Sequence, residues 1–171
     1  MAGQLIQVNT ATVTVATPSV TLTGIDSDDV YMVAINNMIP SDDFRLGAFR
    51  FTESGTPNTT SNYDRAAKSL NASTTFSNNG FTNEAQGYTT DARNGTGGNE
   101  STQLIMYIFN ANNSGEYTFC TIESSARDAS GILYGRQGGN VLTVTSAVDG
   151  VQFFYISSNI ASGTFTLYKV I

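Results

Sequence analysis

The side chains that most often carry enzymatic chemistry are scarce in this chain of 171 residues. It has no histidine, which is the commonest general base and the commonest metal ligand. The single cysteine, Cys120, lies in a strand-like stretch with no histidine to activate it, so a small buried apolar residue is expected there. Neither a Gly-x-Ser-x-Gly nucleophile motif nor a phosphate-binding glycine loop with lysine occurs.

Pairs of carboxylates could still support one reaction, the hydrolysis of a glycosidic bond held between two such groups. The sequence does not place any two of them together, and the absence of tryptophan removes one common platform for sugar rings. We therefore expect a protein that is not an enzyme and that needs no cofactor. The candidate acids for the alternative are Glu53, Glu84, Glu100, Glu116 and Glu123.

Two short acidic clusters, Asp26-Ser27-Asp28-Asp29 and Asp42-Asp43, raise the question of a metal site. Hard oxygen ligands on a loop can bind calcium, so Asp26, Asp28 and Asp29 are the candidate ligands. Aspartate is also favoured in turns, because its side chain accepts hydrogen bonds from nearby backbone amides. The turn is the interpretation we favour, and no bound metal is expected.

The balance of charge argues against nucleic acid as a partner. The chain has 8 Lys and Arg against 14 Asp and Glu, giving a net charge of −6. No run of basic residues is present that could face phosphates, so direct binding of DNA or RNA is not expected.

The start of the chain, Met1 to Leu5, has no basic stretch followed by an apolar core, and no signal peptide is predicted. No apolar run approaches the length needed to span a membrane. These features predict synthesis in a cytoplasm without secretion and without membrane insertion.

Alternation with a period of two dominates the apolar pattern. In residues 11–15 the valines face one side and the threonines the other, and after Thr17-Pro18 the pattern resumes with Val20 and Leu22. Many short strands separated by Gly, Asn and Asp predict an all-β fold, a single antiparallel β-sandwich of jelly-roll-like type spanning residues 1–171. The further predicted strands are 30–35, 44–51, 103–109, 116–123, 131–134, 141–146, 151–157 and 164–171.

Two segments stand apart from this pattern. Residues 53–100 are rich in Ser, Thr, Asn and Gly, which predicts a long loop-rich insertion with a helix-compatible patch at 63–70. Short strands are expected within it around 74–76 and 86–89. Residues 1–24 could act as an N-terminal segment for docking or strand exchange.

Two predicted strands are apolar on both faces, whereas a sheet in a lone sandwich usually has one wet face. The second face must then be covered, either by the loop-rich insertion or by another subunit, and we favour a subunit. The predicted interface residues are Ile105, Tyr107, Phe109, Phe154 and Ile156.

The C-terminal stretch over 157–168 reads Ser-Ser-Asn-Ile-Ala-Ser-Gly-Thr-Phe-Thr-Leu-Tyr. Asn159 and a small residue precede Gly163, and the last strand ends in Leu167-Tyr168. This pattern resembles the closing motif of many virion proteins of tailed bacteriophages. Glycine permits a backbone conformation closed to other residues, and the alternation then predicts Phe165 in the core with Leu167, and Tyr168 on the opposite side.

Three upstream segments are also similar to those virion proteins, so the resemblance covers roughly residues 20 to 171. They are the proline turn and strand of 38–46, the polar segment Asn62-Tyr63-Asp64-Arg65, and the strand Tyr117-Thr118-Phe119.

The resemblance implies a structural component of a phage particle, of tail-fibre, neck or capsid-decoration type. Such a protein acts by assembling with copies of itself, as a trimer, and with other virion proteins. Its location would be the virion, assembled in the host cytoplasm and released by lysis. The alternative is a receptor-binding module that recognises glycan on the host surface, and the tyrosines at 63, 88, 134 and 155 could line such a surface.

Overall fold

The computed structural model describes residues 3–73 and 76–171. Within these ranges the chain forms thirteen β-strands and no helix, so the predicted all-β class is confirmed. In particular, the described ranges hold no helix long and apolar enough to cross a membrane. The short strand expected around 74–76 falls on Thr74 and Thr75, which lie outside the described residues.

The strands are numbered in chain order and most are between 5 and 13 residues long. They are β1 Leu5–Val13, β2 Ser19–Thr23, β3 Tyr31–Pro40, β4 Arg45–Glu53, β5 Thr56–Pro57, β6 Tyr63–Asn71, β7 Ser77–Glu84, β8 Gly87–Asn94, β9 Thr102–Phe109, β10 Tyr117–Arg127, β11 Leu133–Thr145, β12 Gly150–Tyr155 and β13 Ile160–Val170.

Two antiparallel sheets face each other in a sandwich. The large sheet has eight strands in the order β1-β13-β3-β9-β10-β11-β6-β7, and the small sheet has five, β2-β12-β4-β5 with β8 also paired to β4. Eight of the strands pair in nested fashion: β1 with β13, β2 with β12, β3 with β9, and β4 with β8. This nesting is the double Greek key of a jelly roll.

The other strands of the large sheet extend it beyond the jelly roll. The hairpin β10–β11 continues from β9, and β6 and β7 continue from β11 to the edge. The extension lies opposite β8 of the small sheet, which contacts β10, β11 and β6.

The core between the sheets is built around aromatic rings. Phe49 and Phe51 of β4 lie edge to face with ring centroids 5.5 Å apart, and Tyr63 packs against both. Phe153 and Phe165 continue this cluster at 5.8 Å. All five side chains are almost fully buried, and burial of large apolar side chains is the main term that stabilises such a fold.

The prediction for residues 53–100 is wrong in two respects. The helix-compatible patch at 63–70 is strand β6, and the segment as a whole contributes β5 to β8 instead of a long loop. Tyr63 and Ser69 of β6 are buried while Ala66 and Lys68 are exposed, so the strand does alternate, but with polar and small residues on both faces. Its stability comes from hydrogen bonds to β11 and β7, which a local hydrophobic pattern does not reveal.

Two further strands run through positions where a break is expected. Strand β3 continues past Ile35 to Pro40 with a register shift, and Asn37 adopts a positive φ of 54° there. Strand β11 joins the two predicted strands 131–134 and 141–146 across Gly135, Gly138 and Gly139. Pairing on both sides, to β10 and β6, holds these glycines extended.

The closing motif forms β13 as the alternation predicts. Phe165 and Leu167 are fully buried, and Tyr168 lies half-buried on the opposite side of the sheet. Gly163 has φ +150°, and a Cβ at this position would lie 3.0 Å from the Phe165 ring and 3.2 Å from Cα of Met38. Glycine is therefore required there by both conformation and space.

Residues 3–24 belong to the same sandwich as the rest of the chain. Strand β1 pairs with β13 along the edge of the large sheet, and β2 pairs with β12 in the small sheet. A role for residues 1–24 in docking or strand exchange stays a prediction.

Candidate interaction surface

Along the central strands β9 and β10 of the large sheet, exposed apolar side chains alternate with buried ones. The exposed ones lie on the outward side of the sheet. Cross-strand partners in an antiparallel sheet point to the same side. On this basis the outward residues of β9 are Gln103, Ile105, Tyr107 and Phe109, and their partners on β10 are Ser125, Glu123, Thr121 and Phe119. We call the outward side of β6, β9, β10 and β11 the extension face.

An apolar ridge runs along β9 on the extension face, formed by Ile105, Tyr107 and Phe109 together with Phe119 of the neighbouring β10. Ile105 is 45% exposed, Tyr107 40% and Phe119 46%, whereas their neighbours along each strand are buried in the core. Three of these residues were predicted as interface from the sequence, and the structure brings them together on one surface. Contiguous exposed apolar area of this kind is uncommon on soluble monomers and marks interaction sites.

Two adjoining depressions lie beside the ridge. One has a volume of about 550 Å³ and is lined by Ile105, Leu70 and Gly135 among others. The second has a volume of about 400 Å³ and includes Tyr107 and Thr121. Ile105 contributes to both, so it protrudes between them.

A third depression, of about 340 Å³, lies over Gly139 and Ala66. Phe119 borders it on one side and Phe81 of β7 on the other, and both phenylalanines are 46% exposed. The guanidinium of Arg65 lies 4.7 Å from the Phe81 ring centroid, and the two residues are cross-strand partners, so both side chains point to the inner side of the sheet. We call this depression the glycine slot.

Charges on the extension face are few and balanced. The outward charged residues of its four strands are Asp64 and Glu123, which are acidic, and Lys68 and Arg127, which are basic. Glu123 also accepts a hydrogen bond of 2.9 Å from the amide of Gln137. This local balance contrasts with the net charge of −6 for the whole chain.

The other two predicted interface residues, Phe154 and Ile156, lie elsewhere. Phe154 is on β12 in the small sheet, and Ile156 follows the end of that strand. The guanidinium of Arg50 lies 4.7 Å from the Phe154 ring centroid and partly covers it. They are on the opposite side of the sandwich from Ile105, so the five residues cannot form one continuous surface.

The segment 53–100 does not cover the ridge, which was one of the two expectations for the second face. Its strands β6 and β7 lie edge to edge with β11 in the plane of the large sheet, and β8 belongs to the small sheet. The ridge therefore stays exposed in the single chain.

Each of the candidate catalytic acids has a local partner or lies apart from the others. Glu53 accepts a hydrogen bond from Asn58, Glu100 from the backbone amide of Gly97, and Glu123 from Gln137. Glu84 ends β7, and Glu116 immediately precedes β10. No hydrogen bond or ion pair links any two of these five side chains within the described residues.

The candidate calcium loop is held by a lysine. The ammonium of Lys169 lies 2.7 Å from Asp29, 3.9 Å from Asp26 and 2.8 Å from the hydroxyl of Ser27. Its hydrogen bond lowers the pKa of Asp29, and the same contact raises the pKa of Lys169. The described part of the chain has no cluster of three or more His, Cys, Asp or Glu residues suited to a metal ion.

Removing divalent cations should leave the melting temperature unchanged. The carboxylates of Asp26 and Asp29 already interact with Lys169, so a calcium ion would have to displace that ammonium. Thermal unfolding followed by circular dichroism, with and without excess chelator, measures this directly. A fall of several degrees on chelation would show that a cation binds the folded state and would contradict the prediction.

A buried ionic network lies between the extension and β8, and sequence reasoning missed it. Arg65 donates to Asp91 at 2.9 Å, and Nε of Arg136 lies 3.8 Å from the same carboxylate. Ser69 also donates to Asp91, and Arg136 donates to the backbone oxygen of Tyr88. The Arg136 side chain is wholly buried, and burial lowers its pKa to about 10.

Tyr155, Tyr63 and Cys120 are buried in the core in their protonated, neutral form. The hydroxyl of Tyr155 donates to the carbonyl of Met38 at 2.8 Å, and that of Tyr63 accepts from the amide of Phe51 at 2.9 Å. Burial raises the pKa of both tyrosines, and it raises the pKa of the Cys120 thiol to about 12. The expectation that Cys120 is a small buried residue is confirmed, while Tyr63 and Tyr155 are too buried to line a glycan-binding surface.

The residues that sequence reasoning missed on the extension face are Leu70, Phe119 and Gly139. A period-two pattern marks Phe119, since it alternates with buried Thr118 and Cys120. The other two lie on β6 and β11, where no hydrophobic alternation marks a face. No model of a known protein family matches this chain, and no curated protein matches it significantly.

Proposed function

We propose that this protein is a non-enzymatic structural component of a tailed-phage virion, of tail-fibre, neck or capsid-decoration type. It works by assembling with copies of itself through the extension face. The observation that supports assembly is the apolar ridge that exposed Ile105, Tyr107 and Phe119 form with half-buried Phe109 on a hydrogen-bonded sheet. The virion assignment rests on the resemblance of the C-terminal motif.

The composition of the extension face supports protein–protein contact over other uses. Interface centres are enriched in aromatic residues and depleted of charge, and this face has Tyr107, Phe109 and Phe119 beside a balanced set of four charges. Like-charge repulsion between copies of a chain with net charge −6 is smallest where the local charges cancel. A trimer is the assembly that the resemblance implies, and closed symmetry is the usual arrangement for identical subunits.

The mass of the protein in solution tests the proposal. Light scattering should give about 55 kDa for a trimer, three times the chain mass of 18.2 kDa. Ile105→Glu should lower the mass to that of a single chain, because it places a charge without a partner in each desolvated contact. Thr21→Glu is the matched control: it adds the same charge at an exposed strand position in the small sheet and should leave the mass unchanged.

Two outcomes would contradict the assembly proposal. One is a wild-type mass of 18.2 kDa at every concentration up to that reached in a particle. The other is an Ile105→Glu variant that keeps the wild-type mass. The virion assignment is tested separately, by labelling the protein with a specific antibody on purified particles and locating the label by electron microscopy.

Glycan recognition is the second candidate, and one observation favours it. Tyr107 is 40% exposed next to Thr121, with the hydrogen-bonded pair Glu123 and Gln137 at the next position along the sheet. An aromatic face beside several polar groups can bind a sugar ring. Binding to a glycan array that is lost in Tyr107→Ala, by a protein that is monomeric, would favour this function over assembly.

A further inference from the structure

The chain contains two Asn-Gly sequences, and the fold restrains them to very different degrees. They are Asn79-Gly80 in strand β7 and Asn94-Gly95 at the end of strand β8. Asparagine followed by glycine is prone to spontaneous loss of the side-chain amide, because glycine has no side chain that hinders attack by its own backbone nitrogen. Each pair is therefore a candidate for modification without an enzyme.

Asn94 is locked in the core. Its side chain is fully buried, and its amide nitrogen donates to the carbonyl of Arg127 at 3.0 Å. Its amide oxygen accepts a hydrogen bond of 2.8 Å from the hydroxyl of Thr102. Turning this amide towards the Gly95 nitrogen would leave buried polar groups without partners, which is costly. Asn94-Gly95 should therefore stay intact while the chain is folded.

Asn79-Gly80 lies on the last strand of the large sheet. Among the described residues β7 pairs only with β6, and none of its eight residues is buried. The Asn79 side chain is half-buried and Gly80 is exposed. A strand that is paired on one side and buries little apolar surface opens locally at a low cost in free energy.

The backbone nitrogen of Gly80 points to the open edge of the sheet. Opposite residues of an antiparallel pair either bond to each other or both point away, and Gly80 is opposite Ala66. The carbonyl of Ala66 points towards β11, because a Cβ on Gly138 would collide with it. The carbonyl of Arg65, the preceding residue, points towards β7 and lies 3.5 Å from a Cβ on Gly80. Gly80 therefore directs its N–H away from β6, and within the described part of the chain this N–H has no ladder bond.

We propose that Asn79 is a site of spontaneous deamidation in the folded protein. The Gly80 nitrogen loses its proton to hydroxide and attacks Cγ of Asn79, and the side-chain nitrogen leaves as ammonia. The product of this step is a cyclic succinimide between the two residues. Water then opens the ring at either carbonyl, so that position 79 becomes aspartate or isoaspartate. The net reaction consumes one water and releases one ammonia per chain.

Either product changes the edge strand. Residues 77–83 carry no charge, and both products add a negative one. Isoaspartate also inserts an extra backbone atom, which disturbs the pairing of β7 with β6. Charge on an edge strand discourages pairing with another strand. The reaction therefore converts an uncharged edge into a charged one as the protein ages.

Peptide mapping by mass spectrometry tests this inference on the wild-type protein, incubated for weeks at mildly alkaline pH. In the folded protein the peptide with Asn79 should convert to the acid form at least about tenfold faster than the peptide with Asn94, because the edge strand opens far more readily than the core. In urea both sequences are exposed, and they should convert at similar rates. Equal rates in the folded protein would overturn the inference, as would an Asn79 that stays intact for as long as the unfolded chain takes to convert.

Gly80→Ala tests the attacking group. A Cβ there meets only the Arg65 carbonyl, at an ordinary 3.5 Å, and Gly80 has no positive φ, so the fold should be kept. The added methyl hinders the nitrogen and should slow conversion of Asn79 by roughly tenfold. Gly98→Ala is the matched control, since nothing lies within 4 Å of a Cβ there, and it should leave the rate unchanged.

The products test the route. Ring opening gives isoaspartate as well as aspartate, and chromatography separates the two peptides. Aspartate alone at position 79, or a Gly80→Ala variant that converts as fast as the wild type, would show direct hydrolysis of the amide and would overturn the proposed attack by Gly80.

Discussion

Asp91→Asn is expected to lower the free energy of unfolding by about 3–5 kcal/mol, because it removes a carboxylate that compensates two buried guanidinium groups. Arg65 and Arg136 both interact with Asp91, and their side chains are 7% and 0% exposed. Asparagine keeps the shape of the side chain but not its charge. The decrease in the free energy of unfolding therefore measures the cost of leaving the two guanidinium groups without a compensating charge. Urea denaturation monitored by circular dichroism gives the free energy directly.

Two further variants make the measurement specific. Asp28→Asn is the matched control: this aspartate is exposed and accepts an exposed hydrogen bond from Asn113, so its replacement should change stability by less than about 0.5 kcal/mol. Adding Arg136→Met to Asp91→Asn should restore part of the loss, because the buried charge is removed together with its partner. A loss below about 1 kcal/mol for Asp91→Asn would show that solvent or another group compensates the arginines.

Stability is expected to fall steeply above pH 9. Cys120, Tyr63 and Tyr155 keep their protons in the folded state, because burial raises the pKa of each, while the unfolded chain releases them near their ordinary pKa values. Arg136 acts in the opposite direction: its pKa is lowered to about 10, so above that pH the folded state has lost a proton that the unfolded chain retains. Between about pH 10 and 12 the unfolded state binds a net two protons fewer, and stability should fall by up to about 3 kcal/mol per pH unit.

Urea midpoints measured from pH 7 to pH 11 test this dependence. Between pH 9 and 10 the thiol of Cys120 dominates, so Cys120→Ala should delay the onset of the fall and reduce its slope by about 1.4 kcal/mol per pH unit. Tyr117→Phe, at an exposed position on β10, is the control and should leave the slope as in the wild type. A midpoint that stays constant up to pH 11 would contradict the prediction.

Both predictions concern the extension of the large sheet and the core beside it, where polar groups replace part of an apolar interior. Within the described residues, atoms of Arg136, Asn140 and Ser124 on the inner side of β10 and β11 have no hydrogen-bond partner. A buried network of this kind is sensitive to the loss of any member, because each group left without a partner is costly. The jelly-roll core around Phe49 and Phe153 should tolerate apolar substitutions of similar size far better.

The proposed contact surface was visible in the sequence only in part. Ile105, Tyr107 and Phe109 were found because they alternate with Leu104, Met106 and Ile108 on one strand, a pattern with a period of two. The same reasoning selected Phe154, which belongs to the other sheet. Alternation identifies the two sides of a strand but does not tell which sheet the strand joins.

What the sequence by itself determined is the local order: strands where valines, leucines and phenylalanines alternate, turns at Gly, Asn and Asp, and the special glycine at position 163. These features depend on neighbouring residues and on the backbone, so a single chain segment is enough to reveal them. Only the tertiary structure decided that the polar segment at 63–71 is a strand, that Asp91 compensates two arginines, and that Phe81 and Phe119 border one slot. The reason is that hydrogen-bond ladders and ion pairs join residues far apart in the chain, and their partners are set by the order of strands in the sheet.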